Sequence, residues 1–298
     1  YDKNGKLGTT YASLKHNKYL YLGTNQGLFY RNTESNNNFE LIPGTEGQVW
    51  NLQLIDNSIF CGHNSGTYLI KQNTAEQISP IPGAWKLEIL PNSNNTILQG
   101  NYKGFCILKK TNGNWSFSHK IKNFDISSRY FEFVNPSKII VTHEQKGVYE
   151  LELDGSLTKF ISAKINKHLK GEKSSIINYQ GSLIYNYDKG LLKFNTDSNS
   201  FEIDSVFHSP LTTNESYVSG KLVNTNDSKL WAFTKDNILY FSPGKIKTTP
   251  EVTKIYLPTK LRKNYIGFEN ISSLPEENYL LGTSFGFLII DTKKLNKK

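Results

Sequence analysis

The most constraining feature of this sequence is a repeated strand–turn–strand unit that contains two glycines. Its clearest copies, Tyr19–Tyr30 and Tyr279–Ile290, agree almost residue for residue, and copies within residues 59–69 and 97–107 keep both glycines. Three weaker copies lie between residues 139 and 240. Internal periods of roughly 20–50 residues are typical of stacked or circular repeat proteins. The second glycine recurs at intervals of 38 to 49 residues, at Gly27, Gly66, Gly104, Gly147, Gly190, Asn237 and Gly286.

One member of this series, Asn237, is not a glycine. After glycine, asparagine is the residue that best tolerates a left-handed backbone. We therefore interpret the position as a conformational requirement of the turn, which needs no ligand to explain it.

Each period also contains two further strand-like segments, so that four short strands follow one another in about 40 residues. Examples are the outer segment Phe39–Ile42 and the apolar run Val49–Leu54. No helical periodicity of any length accompanies them. The pattern predicts an all-β, seven-bladed β-propeller with four-stranded antiparallel blades, a single domain spanning residues 1–298. The blade hairpins are expected near residues 19–30, 58–70, 96–108, 138–151, 182–194, 229–241 and 279–291.

The two ends of the chain suggest that it is one part of a larger protein. The sequence contains no Met, even at position 1, so we expect an excised domain or a processed product. It begins close to an innermost strand near Ala12–Leu14, and its last repeat ends after a third strand at Asp291. We therefore expect residues 1–8, or a segment outside this sequence, to supply the fourth strand of the seventh blade.

The charge of +9 comes mainly from lysines, because Arg31, Arg129 and Arg262 are the only arginines. The lysines are scattered along the chain, whereas nucleic-acid-binding proteins concentrate arginine and lysine on one face. We therefore predict no direct contact with nucleic acid. The two cysteines, Cys61 and Cys106, form neither a disulfide framework nor a metal motif.

The repeat resembles a known family. Residues 22–29 and 280–288 are similar to the regulator-propeller repeat, which forms the sensor region of many membrane-anchored two-component and hybrid regulators in the Bacteroidetes. Over about residues 10–290 the chain resembles the second propeller of flavobacterial regulators that carry a triple-tyrosine module, although blades five and six fit loosely. The matching segments are Gly47–Trp50, Gly62–Thr67, Gly83–Trp85 and Ser127–Tyr130.

In that family the propellers precede an immunoglobulin-like triple-tyrosine domain, a membrane helix and a cytoplasmic signalling or LuxR-type output domain. The resemblance therefore implies a sensor on the periplasmic or extracellular side of a membrane-anchored parent. It implies that the membrane is contacted only through the parent, and that any DNA binding lies elsewhere in it. It does not specify a ligand.

Motifs that would indicate catalysis are missing from the sequence. Sialidase Asp boxes, Trp-Asp dipeptides, paired kelch glycines and zinc-binding His spacings do not occur. Four carboxylates fall in segments that could face the centre of a propeller, but nothing pairs them by spacing. They are Glu132, Glu144, Asp188 and Asp236. We predict a protein that is not an enzyme and uses no cofactor or metal.

A binding site is expected on the face where the second-to-third-strand turns and the entries to the innermost strands share one rim. Aromatic and amide side chains there suit a sugar or a protein partner. For Trp50 and Trp85, packing between blades is an equally good explanation. For His63 and His143, the alternative is a histidine at the end of a strand whose ring is hydrogen-bonded to a neighbouring backbone carbonyl. For Arg129 a role in binding is favoured, because an unpaired Arg is costly to bury. The candidate residues are Gln48, Trp50, His63, Asn64, Trp85, Tyr102, Arg129, Tyr130 and His143.

The sequence therefore predicts a non-catalytic sensor propeller that binds a glycan, a small molecule or a protein partner, or associates with itself. The alternative is a secreted carbohydrate-active or glycan-binding propeller. Two or three carboxylates clustered at the mouth of the central channel would favour the alternative.

Overall fold

Seven small antiparallel sheets form a closed ring in the computed structural model, which describes residues 6–35, 37–204, 217–244 and 250–295. Each sheet is a meander of consecutive strands, and the first strand of every sheet lines a central channel. The predicted seven-bladed β-propeller is confirmed. The first three blades consist of β1 (Thr10–His16), β2 (Tyr19–Thr24), β3 (Leu28–Asn32) and β4 (Glu40–Leu41); β5 (Val49–Ile55), β6 (Ser58–His63), β7 (Gly66–Lys71) and β8 (Thr74–Ser79); and β9 (Lys86–Ile89), β10 (Thr96–Gly100), β11 (Phe105–Thr111) and β12 (Asn114–Lys120).

The remaining four blades follow in chain order. They consist of β13 (Tyr130–Phe133), β14 (Lys138–His143), β15 (Gly147–Leu153) and β16 (Phe160–Asn166); β17 (Ser175–Tyr179), β18 (Ser182–Tyr187), β19 (Gly190–Asn195) and β20 (Ser200–Ile203); β21 (Tyr217–Asn224), β22 (Leu230–Thr234), β23 (Asn237–Ser242) and β24 (Glu251–Tyr256); and β25 (Ile271–Leu274), β26 (Asn278–Thr283) and β27 (Gly286–Asp291). The described residues also form two single-turn helices, α1 (Thr259–Arg262) and α2 (Thr292–Leu295), and a 3₁₀ turn (Pro275–Glu277). No helix in the described ranges is long and apolar enough to cross a membrane.

The seventh blade has three regular strands in the part of the chain that the structure describes. Gly8 and Thr9 lie beside the start of β27, where the Gly286 amide donates to the Gly8 carbonyl and Thr9 forms an isolated parallel bridge with Gly286. Residues 1–5, which the sequence hypothesis also assigns to a fourth strand, lie outside the described residues. The origin of that strand remains a prediction.

The hydrophobic core is divided among the interfaces between blades. The described residues form seven apolar clusters, each composed of side chains from two neighbouring blades. The cluster that closes the ring joins Leu280 of the last blade to Leu20 and Leu22 of the first, with Leu7 packed beside them. Because both faces of each middle strand are covered by another blade, β2 and β6 are apolar on both faces.

The first glycine of the repeat allows neighbouring blades to approach closely. A Cβ atom on Gly62 would lie 2.3 Å from the carbonyl oxygen of Ala84, and one on Gly100 would lie 2.0 Å from that of Ser128. Both carbonyls belong to the chain as it enters the next blade. The glycine pattern therefore encodes contact between blades as well as turn geometry.

The second glycine does adopt the left-handed region that the sequence pattern requires, as in Gly104 with φ +69° and Gly147 with φ +118°. Our interpretation of Asn237 was wrong, because Asn237 is not among the described residues with positive φ. Its strand begins instead at an ordinary extended residue, and the side-chain hydroxyl of Thr234 accepts a hydrogen bond from its amide at 3.1 Å. A side-chain cap thus replaces the glycine turn in this blade.

Candidate functional site

Four large side chains occupy the same position in blades one to four. The strand registers place Ala12, Asn51, Lys86 and Tyr130 opposite Gly23, Gly62, Gly100 and Thr142. The residue immediately before each is Tyr11, Trp50, Trp85 or Arg129. Equivalent positions converge at one end of the channel because the blades are related by rotation about it. These side chains therefore form one half of the channel mouth.

Local strand irregularities aim two of these side chains at the mouth. Tyr11 and Trp50 are the extra residues at register shifts in β1 and β5. Such a bulge twists a strand and redirects one side chain away from the regular alternation. The alternation of Leu52 and Leu54 after Trp50 therefore does not carry Trp50 into the core between blades.

An unbroken chain of ring contacts runs along this half of the mouth. Ring centroids are 5.0 Å apart for Tyr11 and Trp50, 4.7 Å for Trp50 and Trp85, and 5.1 Å for Trp85 and Tyr102. The Trp50 indole nitrogen donates to the Tyr102 hydroxyl at 2.8 Å. The Arg129 guanidinium lies 5.2 Å from the Trp85 ring and 4.8 Å from the Tyr130 ring. We call the set Tyr11, Trp50, Trp85, Tyr102, Arg129 and Tyr130 the aromatic arc.

A segment from the far side of the ring completes the arc. Residues 263–270 connect α1 to β25, and the half-buried Phe268 ring lies 5.5 Å from Tyr11 and 5.6 Å from Trp50. Arg129 donates to the Gly267 carbonyl at 2.7 Å. At the start of the segment, the fully buried Arg262 donates to the carbonyls of Asn237 and Thr234 at 2.8 and 2.5 Å. The segment is thus held at both ends, by blade six and by blade four.

Below the mouth, the channel is a cavity of about 1000 Å³ with a polar wall. Amide and hydroxyl side chains from several blades line it: Ser13, Asn51, Gln53, Asn178, Asn270 and Ser272. Lys86 also lies in this wall, and its ammonium is 2.8 Å from Glu88 and 2.7 Å from Glu132. Burial opposes the charge of Lys86, but the two carboxylates outweigh burial and raise its pKa.

The other half of the mouth carries charged groups with different environments. The Lys221 ammonium lies 4.8 Å from the Tyr130 ring, and burial, followed by the Arg129 charge, lowers the pKa of Lys221 to about 7. Glu269 is 2% exposed and accepts hydrogen bonds from Ser219 and from the Gly267 amide, both at 2.9 Å. Burial raises the pKa of the Glu269 carboxyl.

The structure brings together five of the nine sequence-predicted site residues. Trp50, Trp85, Tyr102, Arg129 and Tyr130 belong to the aromatic arc. The two tryptophans are half-buried, contact each other across a blade boundary and line the cavity, so that they combine packing with access to the channel.

The other predicted residues organise turns. The side-chain Oδ1 of Asn64 accepts from the Gln48 backbone amide at 3.2 Å, and the buried His63 ring bonds through Nδ1 to the Ser65 hydroxyl at 2.7 Å. His143 Nδ1 accepts from the Gln145 amide at 3.2 Å, within its own turn. These residues do not line the channel cavity.

Sequence reasoning missed Tyr11, Phe268, Lys221 and Glu269. Tyr11 could have been found, since it precedes the strand residue opposite Gly23 just as Trp50 precedes the one opposite Gly62. Phe268 had no comparable signal, because it lies in an irregular segment outside the repeat.

The carboxylates considered for catalysis do not gather at the mouth. Glu132 is bonded to Lys86 inside the channel, and Glu144 accepts from the Lys173 amide at 2.9 Å. Asp188 borders a separate cavity of about 260 Å³ between blades five and six. Within the described ranges, no group of three or more His, Cys, Asp or Glu side chains is placed to hold a metal ion.

Comparison with known proteins supports the fold without identifying a family. No family model and no curated protein sequence matches the chain. Among solved structures, the extracellular domain of a hybrid two-component system of B. thetaiotaomicron is similar with a TM-score of 0.66 and 17% identity, over 95% of this chain and 39% of that one. The extracellular domain of a one-component system of the same organism gives 0.63 and 15%, over 95% and 38%. This chain therefore spans about two-fifths of the length of these domains.

Another similar structure is virginiamycin B lyase from Staphylococcus aureus, with a TM-score of 0.59 and 12% identity over 96% of this chain and 94% of the lyase. Propellers of this shape thus include an enzyme as well as extracellular domains of signalling proteins. At these identities the similarity establishes the fold, and function has to be argued from the site.

Proposed function

We propose that this propeller is a non-catalytic sensor module that captures a saccharide at the aromatic arc. The observation that carries the proposal is the convergence of Tyr11, Trp50, Trp85 and Arg129 on one mouth from four successive blades. Flat aromatic rings provide contact area for a ligand, and polar groups placed beside them fix its orientation. The role is that of a periplasmic or extracellular domain in a membrane-anchored bacterial regulator, as the repeat resemblance implies.

The similarity to extracellular domains of bacterial signalling systems supports this proposal. A concave site of about 1000 Å³ is more suitable for a small ligand than for the flat surface of a protein partner. The side chains of the aromatic arc are half-buried, as suits a ligand held in the cavity, while Tyr265 beside Tyr11 projects from the same rim.

A carbohydrate-active enzyme is the second candidate, favoured by one observation. Glu88 and Glu132 both lie in the channel wall, as two carboxylates of a glycoside hydrolase would. Here, however, both contact the Lys86 ammonium, and Glu132 is only 5% exposed. Burial outweighs Lys86 and raises the pKa of Glu132, as in a general acid, but Glu132 is shielded from the channel and both carboxylates are held by one ammonium. The geometry therefore supports binding over catalysis.

A glycan array probed with the purified chain tests the proposal. We expect saccharide binding by the wild type and by Tyr256→Ala, which removes an aromatic ring that is 75% exposed on the outer strand of blade six. We expect Trp50→Ala to lose binding. No binding to any array member, or equal binding by Trp50→Ala, would overturn the proposal. Release of reducing sugar from a bound saccharide would instead establish the enzyme.

A further inference from the structure

The mouth contains two cations that share one aromatic ring. The Arg129 guanidinium carbon and the Lys221 ammonium each lie 4.8 Å from the Tyr130 ring centroid, although they come from blades four and six. The ring therefore fixes both charges beside the same part of the cavity, next to the Trp85 end of the aromatic arc.

Neither cation has a carboxylate partner among the described residues. Arg129 uses one nitrogen for the Gly267 carbonyl, and the Lys221 ammonium makes its described contact with the Tyr130 ring. Glu88 and Glu132 bond to Lys86. Glu269 accepts from Ser219 and Gly267 through Oε2, its buried Oε1 makes no hydrogen bond, and its carboxylate attracts the Lys221 charge without forming an ion pair with it.

Burying the charges of Arg129 and Lys221 without a bound anion costs free energy. A buried charge is unfavourable unless an opposite charge or several hydrogen bonds compensate it. The depressed pKa of Lys221 expresses this cost, since burial and the neighbouring Arg129 disfavour its charged form. An anion bound between the two groups would remove the cost and form charge-assisted hydrogen bonds with both.

The remainder of the site indicates what carries that anion. Tyr11, Trp50 and Trp85 form a tilted series of rings, with 40° between Tyr11 and Trp50 and again between Trp50 and Trp85. Aromatic faces of this kind can contact the apolar face of a sugar ring. The amides and hydroxyls of the cavity wall supply donors and acceptors for several sugar hydroxyls.

We infer that the ligand of this mouth is an acidic saccharide, whose carboxylate or sulfate group lies between Arg129 and Lys221 while its sugar rings contact Trp50 and Trp85. The inference rests on the proposed function and narrows it to one class of glycan.

The test is an array of matched pairs, each an acidic oligosaccharide with its neutral counterpart: oligogalacturonates with the corresponding galactose oligomers, and galactose oligomers with and without sulfate esters. The first pair reports on carboxylates and the second on sulfate esters. We expect the wild type to bind acidic members at least about ten-fold more tightly than their neutral counterparts, the effect of one charge-assisted hydrogen bond.

Substitutions at the two cations distinguish this inference from the proposed function. Arg129→Gln and Lys221→Gln should each lower the ratio of the affinities for the acidic and the neutral member of a pair, a ratio that a general loss of binding would leave unchanged. Arg129→Lys keeps the charge and should retain part of the preference, which guards against a variant that merely unfolds. Tyr256→Ala is the unaffected control. Equal or tighter binding of neutral members by the wild type would overturn the inference alone, whereas no binding at all would overturn the proposed function as well.

Discussion

The guanidinium carbon of Arg129 lies 3.7 Å from the centroid of the Phe268 ring. This contact joins blade four to the segment that precedes blade seven, across the mouth of the channel. A cation over an aromatic face stabilises a structure by about 0.5–2 kcal/mol, depending on its exposure. The same segment is held by the hydrogen bond from Arg129 to Gly267. The mouth is therefore organised by contacts between distant blades, and its shape depends on this one segment.

Replacing Phe268 tests how far the segment covers the tryptophans. We expect Phe268→Ala to lower the free energy of unfolding by about 1–3 kcal/mol, because the substitution removes a half-buried ring together with its aromatic and cation–π contacts. We also expect stronger quenching of tryptophan fluorescence by acrylamide, since Trp50 and Trp85 lose a neighbour while Trp115 and Trp231 stay buried. Phe285→Ala, at a ring that is 72% exposed, is the control. Unchanged quenching in Phe268→Ala would contradict this role.

The first glycine of the repeat should be intolerant of any side chain. Gly62→Ala would place a methyl group 2.3 Å from a backbone carbonyl oxygen of the next blade, which cannot move without shifting that blade. We expect a loss of at least about 2 kcal/mol in urea unfolding. Gly155→Ala is the matched control, because its methyl group meets nothing within 4 Å. We expect a change within about 0.5 kcal/mol there; similar losses in both variants would show that the interblade contact is not the cause.

Arg262 should act as the anchor of the 263–270 segment. Its guanidinium is fully buried and satisfies two carbonyl oxygens, so Arg262→Gln should leave polar groups unpaired and cost about 2–4 kcal/mol. Hydrogen exchange should rise in residues 263–270 before it rises in the inner strands. Lys260→Gln, at an exposed residue of the same helix, provides the comparison. Equal protection of the segment in both variants would argue against an anchoring role.

The pH dependence of stability should include a contribution from His63. Burial lowers the pKa of His63 in the folded chain, so the unfolded chain binds the proton more strongly. This contribution is fully present above the unfolded pKa of about 6.5, and it is lost as the pH falls below that value towards the folded pKa. Burial lowers the pKa of His143 as well.

Urea midpoints measured between pH 7.5 and 5 test this sign. In His63→Gln, the urea midpoint should fall less on acidification than in the wild type, but it should still fall, because His143 still titrates. His168→Gln, at an exposed residue, should follow the wild type. A slope that is identical in His63→Gln and the wild type would refute the assignment.

The fold was predictable from the sequence because few other residues could replace those that define the repeat. Gly62 and Gly100 are required by contacts between blades, and Gly104 and Gly147 by a left-handed backbone. Asn237 shows the limit of that reasoning, since a hydrogen bond to Thr234 fulfils the role by another route.

The candidate site was predictable only in part. Trp50, Trp85 and Arg129 follow from repeat position, because equivalent residues of a ring must converge. Phe268 and Glu269 come from an irregular segment whose path depends on Arg262 and on blade four, and no local pattern encodes that path. His63 could not be distinguished from a site residue by sequence, since its partner Ser65 is an ordinary turn residue.

Isothermal titration calorimetry with the oligosaccharide that binds most tightly on the array should compare the wild type, Trp50→Ala and Tyr256→Ala. If the aromatic arc is the binding site, Trp50→Ala should weaken binding at least about ten-fold, as expected for a central aromatic contact. Tyr256→Ala should bind as the wild type does. Equal affinity in Trp50→Ala, with the fold intact by circular dichroism, would contradict the central claim that this mouth is where the propeller takes its ligand.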